Sequence, residues 1–159
     1  MISRVSAGLV RRADPVDFET IAQIGKYVFE MISNPSYFNW PTDTLLRELV
    51  QVQTLVVEVK GRVVSFLCYR DLVDAFEISV LATQPAAQKS HYQIQLILHL
   101  QELAAKQRAN LILEVHSENI KALSLYQKMG FDLIYTRKCY YADKANALVM
   151  GWKSDKAGC

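Results

Sequence analysis

Hydrophobic and polar positions along this chain change rhythm often enough to mark its elements. Residues 4–12 read as a first strand, and Asp14-Pro15 then begins a helix, with Asp14 as N-cap and Pro15 in the first turn. Phe18, Ile21, Gly25 and Val28 recur behind it at helical spacing. The stretch from Asn34 to Pro41 is an aromatic-rich loop, and a second helix follows carrying Leu45, Leu46, Leu49 and Val50. A hairpin comes next: Thr54 to Lys60, a turn at Lys60-Gly61-Arg62, and a return from Val63 to Arg70. Phe76 to Ala82 forms a further strand. From Gln88 to Arg108 the pattern is helical, with Tyr92, Leu96, Leu100 and Leu103 on one face. Leu111 to His116 is short, apolar and bounded, hence a buried strand. Ser117 to Met129 is a helix that stops at Gly130. Two strands, Phe131 to Tyr141 and Asn146 to Trp152, complete the order β-αα-βββ-α-β-α-ββ.

No repeat, low-complexity tract or linker interrupts the 159 residues, so one domain over 1–159 is expected. With 51% hydrophobic residues, a domain of this size can bury ~70% of its unfolded surface without metals or disulfides. A formal charge of +2 is too small to suggest a nucleic-acid partner. Arg11-Arg12 and Arg137-Lys138 read as solvated faces. Cys68, Cys139 and Cys159 are far apart and odd in number, which suggests reduced thiols and neither a zinc site nor a disulfide framework. His91, His99 and His116 lack ligand spacing, so no metal is expected. No uncharged run exceeds a dozen residues, short of the ~20 that a membrane span needs. Only six uncharged residues lie between Arg4 and Arg11, too few for a signal peptide. The chain reads as soluble and cytoplasmic, with no membrane partner.

The stretch Leu113-Glu114-Val115-His116-Ser117-Glu118-Asn119, continued by Ala122, Leu125-Tyr126, Lys128 and Gly130-Phe131, resembles a segment of the GNAT-superfamily acetyltransferases. That segment reads L-E-V-x-x-x-N-x-x-A-x-x-L-Y-x-K-x-G-F. Arg137-Lys138-Cys139-Tyr140-Tyr141 and Ala147-Leu148-Val149-Met150 are similar to the ending of one branch, the ribosomal-protein-alanine and related protein N-terminal acetyltransferases. Phe38-Asn39-Trp40 sits where that branch has an aromatic-Trp pair. The element order matches over nearly the whole chain.

The resemblance implies a fold: α+β, a mixed, mostly antiparallel seven-stranded sheet, helices on both faces, and a cleft where two central strands splay. It implies an activity: acetyl transfer from acetyl-coenzyme A, the co-substrate, to an amine, with a protein or peptide N-terminus as acceptor. It implies roles for residues. Glu114 would be the base, acting through water, and Tyr126 the acid near the thiol. Asn119 would bond the pantetheine arm, with or without a helix-cap role, and the backbone of Leu81, Ala82 and Thr83 would hold pantetheine and steady the thioester oxygen. Trp40, Tyr140 and Tyr141 would line the acceptor side. The expected assembly is a monomer or weak homodimer.

The coenzyme loop departs from the pattern. The superfamily has Q/R-x-x-G-x-G/A at the start of the long helix; here the aligned residues are Gln88, Lys89, Ser90, His91, Tyr92 and Gln93. Gln88 fits, but His91 and Gln93 replace both small residues, and no glycine lies between Gly61 and Gly130. Any left-handed position in this loop costs a non-glycine residue ~1–2 kcal/mol. Two readings stay open: an enzyme whose loop still binds coenzyme A, with Lys89 or His91 adding a phosphate contact, and a catalytically weak or inactive module that binds a protein partner or regulates.

Overall fold

The computed structural model describes residues 8–38 and 40–154; the expected start of the first strand, Asn39 and Cys159 lie outside them. Among the described residues, seven strands form one sheet: β1 (Leu9–Arg12), β2 (Gln53–Val59), β3 (Arg62–Asp71), β4 (Ala75–Thr83), β5 (Asn110–His116), β6 (Asp132–Arg137) and β7 (Ala147–Trp152). Four helices accompany them: α1 (Phe18–Met31), α2 (Thr42–Leu49), α3 (Tyr92–Gln107) and α4 (Ile120–Lys128). The spatial order is β1-β2-β3-β4-β5-β7-β6. Only β4 and β5 run parallel, and α3 supplies the crossover that parallel neighbours require.

Period-two alternation gives the sheet two apolar faces. Leu55, Val57 and Leu67 join Leu96, Ile97 and Leu100 of α3 in one core. Val56, Phe66 and Cys68 join Ile21 and Ile24 of α1 and Leu45 and Leu49 of α2 in the other. On α2 the expected apolar face is narrower than its leucines suggest: Leu46 and Val50 are exposed. Burial pushes the Cys68 thiol up to about 12.

The entry to α1 is a short 3-10 turn, Pro15–Asp17, and Asp17 does more there than Asp14. Its carboxylate accepts the Asp14 backbone N–H at 2.7 Å and a bidentate pair from Arg11 at 2.8 and 3.0 Å. Arg11 is therefore an ion-paired residue and not simply a solvated face.

Three expected boundaries move. The long helix starts at Tyr92 and not Gln88, because Pro85–Ser90 is a 3-10 turn and His91 turns left-handed. The next helix starts at Ile120, where Asn119 caps it. β6 ends at Arg137, because residues 138–146 form a turn with Cys139 and Lys144 at positive φ. Among the described residues no helix is long and apolar enough to cross a membrane.

Candidate active site

β4 and β5 stay in register for three pairs, Ala75 with Asn110, Phe76 with Leu111 and Glu77 with Ile112. Beyond Glu77 they part, although β4 remains paired with β3 to Thr83 and β5 with β7 to His116. A bulge sharpens the divergence: Tyr69 faces Ile78 while Cys68 faces Val80, leaving Ser79 as the extra residue of β4. The bulge also switches the strand's inward face, so Phe76 and Ile78 pack with α3 whereas Val80 and Ala82 pack with α1 and α2. Two adjoining hollows open in the wedge. The more enclosed one is lined by Leu81, Glu114, His116, Asn119, Tyr126 and Tyr141, among others. The other includes Trp40, Arg70, Glu114, Arg137, Tyr140 and Tyr141. Glu114 and Tyr141 border both.

Glu114 faces the wedge because its neighbours Leu113 and Val115 turn into the α3 core. Its Oε1 accepts a 2.7 Å hydrogen bond from Arg137 Nε, at the end of β6. The Arg137 guanidinium also lies over the rings of Tyr135 and Tyr140, 5.2 and 5.8 Å from their centroids. The bond to Glu114 leads the effects that raise the Arg137 pKa.

Tyr126 projects from α4 and meets Phe131 edge-on at 5.6 Å. Its residue surface is partly exposed, yet burial around the phenol pushes its pKa up to about 12. Asn119 Oδ1 accepts the Ala122 N–H at 3.3 Å, a helix cap placed at the wall of the same hollow. Tyr141 is likewise raised to about 12, by burial first and then by the negative charge of Glu114.

The other expected coenzyme residues divide. Leu81 borders the enclosed hollow, while Ala82 and Thr83 are buried at the end of β4. The Thr83 and Ser65 hydroxyls are 2.7 Å apart, and the Thr83 carbonyl accepts Gln88 Nε2 at 3.3 Å, so the Gln88 side chain ties the turn to the strand. His91 sits at φ 60°, ψ 28°, the left-handed conformation that a glycine would adopt without cost. The Tyr92 side chain is part of the α3 core, which leaves only its backbone for a ligand. Lys89 and His91 are exposed, Ser90 and Gln93 half-buried, and none of residues 88–93 lines either hollow. On the opposite side Trp40 carries the Arg70 guanidinium 5.8 Å above its ring, and Arg70 pairs with Glu48 at 2.6 Å.

In the sequence Asp143 and Asn34 go unremarked, His116 reads only as a histidine without ligand spacing, and Arg137 reads as a solvated face, whereas Arg137 is ion-paired with Glu114 at 2.7 Å. His116 Nε2 lies 2.7 Å from Asp143 Oδ2, and Asn34 Nδ2 donates to the same oxygen at 2.9 Å. The available signal was the position of His116, two residues beyond Glu114 and so on the same face of the strand.

Residues 24–131 match the model of the Acetyltransferase (GNAT) family. The [ribosomal protein bS18]-alanine N-acetyltransferase of Haemophilus ducreyi is 30% identical over 129 residues, covering 77% of this chain and 89% of that protein. The crystal structure of the ribosomal-protein-S18-alanine N-acetyltransferase from Escherichia coli superposes with a TM-score of 0.78 at 20% identity, over 96% of this chain and 97% of that one. The ribosomal-protein-alanine N-acetyltransferase from Brucella melitensis gives 0.74 at 22% identity, over 91% and 99%. At these identities the two structures speak for the fold alone: the mixed, mostly antiparallel seven-stranded sheet expected from the sequence.

Proposed function

Since the chain belongs to the GNAT acetyltransferase family, we propose that it moves an acetyl group from acetyl-coenzyme A to a protein N-terminal α-amine. The observation that carries this reading is the wedge between β4 and β5, where Glu114, Asn119, Tyr126 and Leu81 border one hollow. Past Glu77 β4 and β5 no longer pair with each other. The β5-facing edge of β4 fits the amide-bearing pantetheine arm, which needs backbone partners, and it fits a thioester oxygen that gains charge during attack. Leu81, Ala82 and Thr83 would hold the arm through backbone groups, Asn119 through its side chain, and the start of α3 would face the pyrophosphate.

The chemistry is an addition followed by an elimination. The amine nitrogen attacks the thioester carbonyl, the C–S bond breaks, and the acetyl group ends on nitrogen as an amide. Glu114 takes the amine's proton through water, and Tyr126 gives its proton to the departing thiolate. A phenol raised to about 12 still carries that proton at neutral pH. We read residues 1–159 as one such domain, working in the cytoplasm where nascent protein N-termini are available.

The choice of an α-amine rests on the similarity to the alanine N-acetyltransferases and on acidity. An α-amine has a pKa near ~8 and is partly neutral at physiological pH, whereas lysine at ~10.4 is almost wholly charged. A carboxylate that acts through water has less to do for the former. Two peptides test this: one with a free N-terminus and no lysine, one N-terminally blocked with several lysines. Acetylation of the first is expected, and acetylation of the blocked peptide alone would overturn the acceptor assignment.

One observation favours a second reading, a module that binds a partner without turnover. His91 occupies a left-handed position at the coenzyme loop with a full side chain. Acetylation of neither peptide would support that module.

A further inference from the structure

His116 is the last residue of β5, and its side chain is fully enclosed. Nδ1 accepts the Glu118 backbone N–H at 3.1 Å, which puts the ring proton on Nε2, donated to Asp143 at 2.7 Å. With both nitrogens engaged, the imidazole has no lone pair free to serve as a base.

The ring is gripped on its faces as well. Tyr141 stacks on it at 4.7 Å and 28°, and Tyr37 meets it edge-on at 4.9 Å. The Tyr37 hydroxyl donates to the Glu118 carbonyl at 3.2 Å. Asp143 binds two further donors, Asn34 Nδ2 at 2.9 Å and the Ala145 N–H at 3.0 Å. Those three donors hold its carboxyl down to about 2, so it is an anion at any working pH. Three segments far apart in sequence, 34–37, 116–118 and 141–145, therefore meet at one imidazole.

The turn braces itself locally: the Tyr140 and Tyr141 N–H groups donate to the Ala145 carbonyl at 3.0 and 3.2 Å, and the Lys144 N–H donates to the Tyr141 carbonyl at 2.8 Å. Residues 138–146 contribute none of the two buried cores and include two left-handed residues. Bonds such as Cys139 N–H to Asn146 Oδ1 at 3.0 Å shape the turn locally. Its ties to β5 are the Asp143 bond, the Tyr141 stack and the Ser117 N–H to Asn146 carbonyl bond at 2.9 Å.

We propose that His116 and Asp143 are positioning residues: together they clamp the turn carrying Tyr140 and Tyr141, and the loop carrying Tyr37, against the end of β5, and so set the shape that the acceptor must fit. The proposal rests on the transferase reading for its effect on acceptor but not for the clamp itself. The clamped Tyr140 and Tyr141 line the open hollow together with Trp40, and Asp143 itself lines neither hollow, so the loss of Asp143 is expected to fall chiefly on the acceptor.

The test is kinetics and hydrogen exchange on the full chain, with Asp143→Ala and Asp143→Asn. Asp143→Ala strands a buried N–H and frees both loops. It is expected to raise the acceptor-peptide KM about tenfold, leaving kcat and the acetyl-coenzyme A KM within about twofold. Asp143→Asn keeps an oxygen for His116 and should fall between. Amide exchange should rise in 34–38 and 138–146 together while β2 and β3 stay protected. An unchanged acceptor KM, equal losses for both substrates, or a rise in only one loop would overturn the proposal. Were the wild type to acetylate no peptide, the transferase reading would fail on that result, and the paired exchange would still decide the clamp.

Discussion

Glu114 Oε1 and Arg137 Nε lie 2.7 Å apart, so the carboxylate assigned as base is already hydrogen-bonded to a cation. That bond holds the carboxylate at the border of both hollows, and its proposed relay through water suits an amine that is partly neutral on arrival. Glu114→Gln is accordingly expected to lower kcat/KM by roughly tenfold to a hundredfold, at the weak end of general-base effects. The loss should be largest at low pH, where neutral amine is scarce, and should shrink toward pH ~9, where the amine arrives deprotonated. A rate–pH profile of the variant against wild type checks both the size and the trend; an equal loss at every pH would contradict the role.

Tyr126 carries the opposite half of the proton traffic. Tyr126→Phe should lower kcat by roughly a hundredfold while leaving coenzyme affinity within about twofold, because only the departing thiolate needs the hydroxyl. The phenol acts as an acid only while protonated, and burial raises it from 10.0 to about 12. The sign follows directly: the acid is present at all pH values below about 12, so turnover should not decline through pH 10 on account of Tyr126. A wild-type profile that fell with an apparent pKa near 10, and lost that limb in Tyr126→Phe, would contradict the raised pKa, and an unchanged kcat in Tyr126→Phe would contradict the acid role.

The left-handed His91 allows a gain of function. His91→Gly removes a Cβ penalty of ~1–2 kcal/mol at φ 60°, partly offset by the extra freedom of glycine in the unfolded chain. A net stability change of ~0–1 kcal/mol is expected from chemical denaturation. Binding of coenzyme A should tighten severalfold, since the backbone at the start of α3 becomes more approachable. Weaker binding in the glycine variant would instead identify the imidazole itself as a phosphate partner.

Much of this molecule was legible in the chain. The hairpin turn at Gly61, the short apolar strand ending at His116 and the helix stop at Gly130 each carry a local signal. What escaped was long-range. The bulge at Ser79 is visible only once Cys68 and Tyr69 find their partners on β4. The His116–Asp143–Asn34 cluster joins residues 27 and 109 positions apart, and no local pattern ties such groups together. No glycine or proline follows Arg137 before Asn146 to mark a turn, and the strand was expected to run on to Tyr141. The turn that cuts it short is stabilised by Asn146 and Asp143, beyond the reach of a periodicity argument. At the coenzyme loop the sequence revealed the missing glycines, and the structure adds which residue bears the left-handed conformation.

The central claim, that the wedge between β4 and β5 serves an acyl-coenzyme A enzyme, meets its most direct test in a calorimetric titration of the full chain with acetyl-coenzyme A. Saturable binding at one site per chain is expected, retained in Tyr126→Phe and tightened in His91→Gly. No heat of binding to wild type or to His91→Gly at millimolar ligand would contradict it.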